Sequence, residues 1–129
     1  MEIKRGDIYW INESEYRKIP GSCQAPNRPA IIVSNDANNS FANTLEIVYL
    51  TTAPKKDLPT HCIINSAIVP STALCEQVST ISIEQIGRYI GTCTDKEMKA
   101  VNRRILISLG MEGYLYLVDD FIERASKII

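Results

Sequence analysis

The sequence predicts a mainly β domain of the α+β class, because several short strands come first along the chain and helical segments follow. Runs rich in β-branched and aromatic residues alternate with turn residues up to about residue 92, and helical periodicity begins after Thr94. The chain has 129 residues, of which 45% are hydrophobic, so it suits a single domain with one sizeable core. This order of elements favours a small β-barrel or curled sheet with helical additions.

Three strands are predicted in the first half of the chain. Residues 8–11 are rich in β-formers, residues 28–34 contain a continuous apolar run typical of a strand buried on both faces, and residues 45–51 form a third strand. Pro29 has no N–H group, so it can stand only at the start of its strand. The segment before it, residues 12–27, is a long loop for so small a domain, and such loops are often functional.

The second half of the chain changes from strands to helices. Residues 35–43 are predicted to be a polar loop, and further strands are predicted at residues 60–64, 72–81 and 88–90. Ser82 is expected to cap a single helical turn through Glu84 and Gln85.

A helix is predicted to begin after Thr94, since Thr94 and Glu97 form a capping box and apolar residues then continue at helical spacing. Gly110 and Gly113 are expected to end it, and a second amphipathic helix is predicted between Leu115 and Ile129.

Composition limits the classes of function. The net charge of -1 and pI of about 5.8 do not suit a general polyanion binder, so any nucleic-acid site must be a local basic patch. The four cysteines form no Cys-x-x-Cys pair, and no secretory signal or membrane-length apolar run is present. We therefore expect a cytoplasmic protein with reduced thiols and no zinc site.

The catalytic inventory is short. His61 is the only histidine, which excludes a two-histidine ribonuclease, and nothing favours its pairing with a cysteine, although such a pair stays open. Acidic residues are scattered, so we expect no metal and no cofactor. The remaining candidates for catalysis are Arg28, at the entry to a buried strand, and the strand-end hydroxyls of Thr51 and Thr52. An arginine fork matches phosphate oxygens, yet a surface arginine paired with a carboxylate is an equally good interpretation from the residues alone.

Six short motifs, in order and in register, carry a resemblance to a known family. They are Gly6-Asp7-Ile8-Tyr9-Trp10, Gly21-Ser22-Cys23-Gln24-Ala25-Pro26-Asn27-Arg28-Pro29-Ala30, Val33-Ser34-Asn35-Asp36, Leu58-Pro59-Thr60-His61, Glu76-Gln77-Val78 with Thr80-Ile81, and Ile90-Gly91-Thr92. Over roughly residues 3 to 110 the chain resembles the MazF/PemK toxins of toxin–antitoxin systems.

The resemblance implies a homodimeric SH3-like barrel of about six or seven strands with a C-terminal helix over residues 1–113. Residues 114–129 extend beyond the usual end of the family and are expected, from their apolar spacing, to be a helical extension packed on the same domain. The resemblance further implies the toxin of a type II system: a metal-independent, sequence-selective endoribonuclease on single-stranded RNA, silenced by a MazE-like antitoxin. The family's catalytic arginine falls on Arg28 and its catalytic threonine on Thr51.

RNA recognition is expected from residues beside Arg28 and from the long loop. The candidates are Ser22, Gln24, Asn27, Gln77, Arg17 and Lys18, since amide edges and cations suit unpaired bases and phosphates. Two departures from the family pattern matter. Cys23 replaces the family's glutamate, and Ser79 replaces its basic residue, which removes one possible contact with a phosphate or a base.

The expected reaction is attack of a 2′-hydroxyl on the neighbouring phosphate, giving 2′,3′-cyclic phosphate and 5′-hydroxyl ends. Arg28 would stabilise the phosphorane and Thr51 would support it, while the general base stays unassigned. Two alternatives stay open: a gyrase poison of the same fold, against which the absence of a C-terminal Trp-Gly-Ile type ending argues, and a catalytically inactive binding module.

Overall fold

The computed structural model describes residues 2–12, 27–54 and 56–115. Six strands form one antiparallel sheet, in the spatial order β4-β5-β3-β2-β1-β6. In chain order the elements are β1 (Asp7–Asn12), β2 (Asn27–Ile32), α1 (Asp36–Phe41), β3 (Thr44–Thr51), β4 (His61–Ile64), β5 (Ser71–Ser82), β6 (Ile86–Thr92) and α2 (Asp95–Ser108). The predicted α+β class and all six predicted strands are confirmed.

The sheet is curled, and its two outer strands approach each other without pairing. Within the described ranges, β4 and β6 each have one strand neighbour, so no hydrogen-bonded ladder closes the barrel. Gly91 on β6 nevertheless lies against the segment that follows β4, where a Cβ atom would stand 2.6 Å from the carbonyl oxygen of Ser66. The absence of a side chain at Gly91 is therefore what allows these two edges to meet.

Both faces of the central strands are buried. One core includes Tyr9, Ala30 and Tyr49, and the other includes Ile31 and Val48. Side chains alternate between the faces along each strand, so consecutive residues of β2 serve different cores. The prediction that β2 is buried on both faces is confirmed, because Ala30, Ile31 and Ile32 are all fully buried.

Helix α2 begins and ends as its sequence signals predict. Thr94 and Glu97 form a capping box at its start. At its end Gly110 adopts a positive φ of 73°, and the N–H of Met111 donates to the carbonyl of Leu106 at 2.7 Å, as in a Schellman motif. Val101 is fully buried and packs α2 against the second core. Among the described helices, none combines the length and apolar character needed to cross a membrane.

The prediction of a loop over residues 35–43 is wrong in part, because α1 forms there. The side chain of Asn35 accepts a hydrogen bond from the N–H of Asn38 and caps this six-residue helix. Asn, Asp and Ser favour loops and helix caps alike, so composition did not separate the two. The turn capped by Ser82 is confirmed as a 3₁₀ turn at Ile83–Gln85. The predicted tail helix lies almost entirely outside the described residues.

The cysteines that the structure describes are free thiols, as expected. Cys62 is half-buried, and its hydrogen bond with Cys75 lowers the pKa of Cys62. The same hydrogen bond, together with burial, raises the pKa of Cys75. Burial raises the pKa of Cys93 to about 12.

We expect Cys62 to be the fastest of these three thiols towards a disulfide reagent, because reaction requires an accessible thiolate. In a Cys23→Ser background, Ellman's reagent should titrate one thiol quickly under native conditions. The other two should react about 100-fold more slowly until guanidinium unfolds the chain. Equal reaction rates for all three thiols would contradict the different burial and pKa directions described for Cys62, Cys75 and Cys93.

Candidate active site

The register of β2 and β3 places Arg28 and Thr51 side by side. Ala30 pairs with Tyr49, and continuing this antiparallel register by two residues sets Arg28 opposite Thr51. The paired residues of β2 and β3 begin at Ala30, next to Pro29, which has no N–H to donate. The arginine and the threonine therefore lie just beyond the last pair, where the two strands are open.

The side chain of Arg28 rests on its own sheet. Its guanidinium carbon lies 5.4 Å from the ring centroid of Tyr49, within the range of a cation–π contact. Its Nη2 atom also donates to the carbonyl oxygen of Leu50 at 3.5 Å. The Thr51 hydroxyl accepts a hydrogen bond from the N–H of Ala53 at 3.3 Å, which begins the turn after β3. The guanidinium is thus oriented by Tyr49 and Leu50 of β3, and the hydroxyl by Ala53 in the turn that follows.

Arg28, Thr51 and Thr52 line a cavity of about 360 Å³. Thr51 is half-buried and Thr52 is exposed. The other lining residues are mostly apolar and include Trp10, Pro29, Leu50, Ala67, Ile68 and Ile90. The guanidinium and the neighbouring hydroxyl groups can bind a phosphate, and the apolar wall can contact one flat group attached to that phosphate.

Glu97 fastens one wall of this cavity to α2. Its carboxylate accepts hydrogen bonds from the N–H groups of Asn65 and Ser66 at 2.6 and 3.2 Å, and the Ser66 hydroxyl also donates to it. Ala67, Ile68 and Val69 of the cavity wall follow directly. Burial raises the pKa of Glu97, but the hydrogen bonds from Ser66, Thr94 and Asn65 outweigh it, so the pKa lies below its usual value.

Glu76 joins two of the sequence motifs. Its carboxylate accepts a hydrogen bond from the Thr60 hydroxyl at 2.8 Å and contacts Nε2 of His61 at 3.1 Å. Burial raises the pKa of Glu76, but hydrogen bonds from its own backbone, Thr60 and His61 lower it below its usual value. His61 therefore has a structural partner, in keeping with its interpretation as a structural histidine.

The predicted RNA-binding residues are only partly within the described ranges. Asn27 is exposed at the start of β2, opposite Asn12. Gln77 precedes Val78, the partner of Val48, at the point where the β3–β5 register shifts. Ser79 donates a hydrogen bond to the carbonyl of Gln77 at 3.4 Å. The other candidates lie outside the described residues: Arg17, Lys18, Ser22 and Gln24, together with the departure at Cys23.

Comparison with known proteins identifies the family. The family described as PemK-like, MazF-like toxin of type II toxin–antitoxin system matches residues 4–109. The chain belongs to this family. An endoribonuclease MazF of Staphylococcus saprophyticus is 32% identical over 114 residues, covering 84% of this chain and 92% of that protein. The endoribonuclease EndoA of Bacillus subtilis is 32% identical over 116 residues, covering 86% of this chain and 97% of that protein.

Solved structures share the fold of this toxin. A MazF crystal structure from Deinococcus radiodurans superposes with a TM-score of 0.72 at 18% identity and covers 86% of this chain and 99% of that one. A Mycobacterial endoribonuclease, solved in complex with its cognate antitoxin, superposes with a TM-score of 0.66 at 23% identity and covers 85% of this chain and 95% of that one. These likenesses confirm the predicted fold class.

Sequence reasoning missed Tyr49, Trp10 and the wall at residues 65–70. A signal for Tyr49 was present, since it stands two residues before Thr51 and must share its face of β3. No comparable local signal existed for the wall, because its position depends on Glu97, more than twenty-five residues away.

We expect a Glu97→Gln variant to lose about 1 kcal/mol of unfolding free energy at pH 7, because the capping box and the charged hydrogen bonds to residues 65 and 66 weaken. A carboxylate with a depressed pKa contributes fully above the ordinary value near 4.5 and loses its contribution as pH falls through the folded-state pKa. The difference from wild type should therefore shrink below pH 4.5. Urea unfolding at pH 7 and pH 3.5 measures it.

The control for this experiment is Glu112→Gln, which changes an exposed glutamate outside the cavity wall. It should leave the unfolding free energy within experimental error at both pH values. An equal loss for Glu97→Gln at pH 7 and pH 3.5 would contradict the role of its charge.

Proposed function

We propose that this chain is the endoribonuclease toxin of its toxin–antitoxin pair and that it cleaves single-stranded RNA without a metal ion. The observation that supports it most is that Arg28 and Thr51 line one cavity, just beyond the last pair of β2 and β3, Ala30 with Tyr49. The two relatives at 32% identity, both named as endoribonucleases, support the same reaction class.

The guanidinium of Arg28 supplies the charge that the reaction requires. As the 2′-oxygen bonds to phosphorus, negative charge accumulates on the non-bridging phosphate oxygens, and a fixed arginine fork stabilises it. The Thr51 hydroxyl can donate to the same phosphate while it accepts from Ala53. Because both groups are held by strand β3, little reorganisation is needed when the charge develops.

The bonds and protons of this step balance within the RNA. The 2′-hydroxyl loses its proton and its oxygen bonds to phosphorus, the bond from phosphorus to the 5′-oxygen breaks, and that oxygen takes up a proton. The products are a 2′,3′-cyclic phosphate and a 5′-hydroxyl. DNA, which lacks the 2′-hydroxyl, is not a substrate.

The proposal extends to the surroundings of the reacting phosphate. Asn27 and Gln77 would contact bases, together with Ser22, Gln24, Arg17 and Lys18 from the segment before β2. Residues 1–113 would form the toxin domain and residues 114–129 a helical extension packed on it. The toxin would act in the cytoplasm as a homodimer and would be silenced by a cognate antitoxin.

We expect Arg28→Ala to lower kcat on single-stranded RNA by about 10²–10³-fold, the usual cost of removing one donor to a developing oxyanion. Arg28→Lys should be nearly as impaired, because a point charge does not reproduce the bidentate fork. Protein made in a cell-free system is incubated with a long unstructured transcript in EDTA, and the ends are labelled with polynucleotide kinase. Arg103→Ala, at an exposed arginine of α2, is the control and should retain wild-type activity.

The same assay decides between the remaining functions. New 5′ ends that accept label without phosphatase treatment support the proposed reaction, and 3′-hydroxyl products or complete inhibition by EDTA contradict it. An inactive wild type that blocks DNA supercoiling would point to the gyrase-poison alternative. An inactive wild type that still binds RNA would point to the binding-module alternative.

We expect Thr51→Ser to keep kcat within about threefold of wild type, because the hydroxyl is retained. Thr51→Val has the same shape without the donor and should lower kcat by about 10- to 100-fold, as expected for the loss of one hydrogen bond to a charged group. Thermal unfolding of both variants controls for the loss of the hydrogen bond from Ala53. Equal activities of the two variants would exclude a role for the hydroxyl.

A further inference from the structure

Tyr49 is an unusual residue for its place in the core. It is fully buried on β3, where Ile47, Val48 and Leu50 are aliphatic. Its hydroxyl has no hydrogen-bond partner among the described residues, although the oxygen is buried. A buried hydroxyl without a partner is destabilising, so packing alone favours an aliphatic residue or phenylalanine here.

The ring of Tyr49 does what an aliphatic side chain cannot do. Its face carries the negative part of the aromatic quadrupole, and the guanidinium of Arg28 lies 5.4 Å from its centroid. On the same strand, the carbonyl of Leu50 accepts from Nη2 of Arg28. The ring fixes the position of the guanidinium and the carbonyl fixes its rotation. Tyr49 and Leu50 thereby hold the guanidinium of Arg28 beside Thr51, the next residue of β3.

We propose that Tyr49 is the positioning residue of Arg28, acting through the face of its ring and not through its hydroxyl. This inference rests on the proposed function for its kinetic consequence, but its structural content stands on the contact itself. A correctly placed fork raises the rate of the chemical step more than the affinity for RNA. Loss of the ring should therefore lower kcat and leave KM nearly unchanged.

The test compares variants that separate the contributions of the aromatic ring, the hydroxyl and the side-chain volume of Tyr49. Tyr49→Phe keeps the ring face and should retain kcat within about twofold, with equal or higher thermal stability. Tyr49→Leu and Tyr49→Met remove the face and should lower kcat by about 10- to 30-fold with KM within about threefold, the range of a partly desolvated cation–π contact. Two aliphatic variants are used so that a folded one is obtained.

Tyr9→Leu is the matched control. Tyr9 pairs with the opposite side of Ala30, belongs to the same core cluster and packs its ring on Tyr89, at 5.6 Å, and not on Arg28. It should lose at least as much stability, because the Tyr9 hydroxyl also has a hydrogen bond with Asp7, and keep kcat within about twofold. A loss of kcat in Tyr9→Leu equal to that in Tyr49→Leu would overturn the proposal, as would a Tyr49→Phe variant as slow as the aliphatic ones.

A spectroscopic measurement distinguishes failure of this inference from failure of the proposed function. Protons above an aromatic face resonate upfield, so the Nε–H of Arg28, assigned with an Arg28→Lys spectrum, should be shifted upfield in wild type and in Tyr49→Phe. The shift should disappear in a folded aliphatic variant. An inactive wild type that shows this pattern would contradict the proposed ribonuclease activity but support the contact between Tyr49 and Arg28. An unshifted resonance in wild type would overturn the positioning role whatever the activity.

Discussion

The antiparallel register of β2 and β3 is the constraint on which the candidate site depends. Ala30, a small residue, lies between Tyr9 on β1 and Tyr49 on β3, so two large rings pack across a position that has room for them. Because both faces of β2 are buried, apolar character alone does not exclude a slip by one residue. Such a slip would place Ile31 between the rings and overfill that layer, which is destabilising. The fit of Ala30 therefore sets Arg28 opposite Thr51.

Two carboxylates, Glu97 on α2 and Glu76 on β5, join segments that are distant in the chain. Glu97 holds residues 65 and 66 to the start of α2, and Glu76 holds Thr60 and His61 to β5. Both have pKa values below the usual one because they accept several hydrogen bonds in the charged form. Acid weakens both contacts together, so the cavity wall that Glu97 holds and the contact of Glu76 with Thr60 and His61 lose stability in the same direction as the pH falls.

The parts of the fold that could be predicted from the sequence are those with local signals. The capping box at Thr94 and Glu97, the apolar run after Pro29 and the turn at Ser82 involve residues within a few positions of one another, and each is found as predicted. Helix α1 was missed because Asn35 and its neighbours suit a loop as well as a cap.

The candidate site was predicted less completely, for a physical reason. The register of two strands is not encoded in either strand alone, so the pairing of Arg28 with Thr51 came from the family resemblance. Tyr49 was missed because its proposed role comes from Arg28, which lies over its ring and belongs to another strand. The cavity wall depends on a hydrogen bond to Glu97, which local patterns do not reveal.

The described part of the cavity depends on one arginine for its positive charge. Where the family carries a basic residue, Ser79 directs its hydroxyl to the carbonyl of Gln77 on its own strand. Among the described residues that line the cavity, Arg28 is the only charged one, and the net charge of the chain is -1. Among the described lining residues, attraction of phosphate is therefore concentrated in a single guanidinium, and no other of them is a cation that could compensate for an error in its position. A rigid aromatic support under that guanidinium is the arrangement that such a site requires.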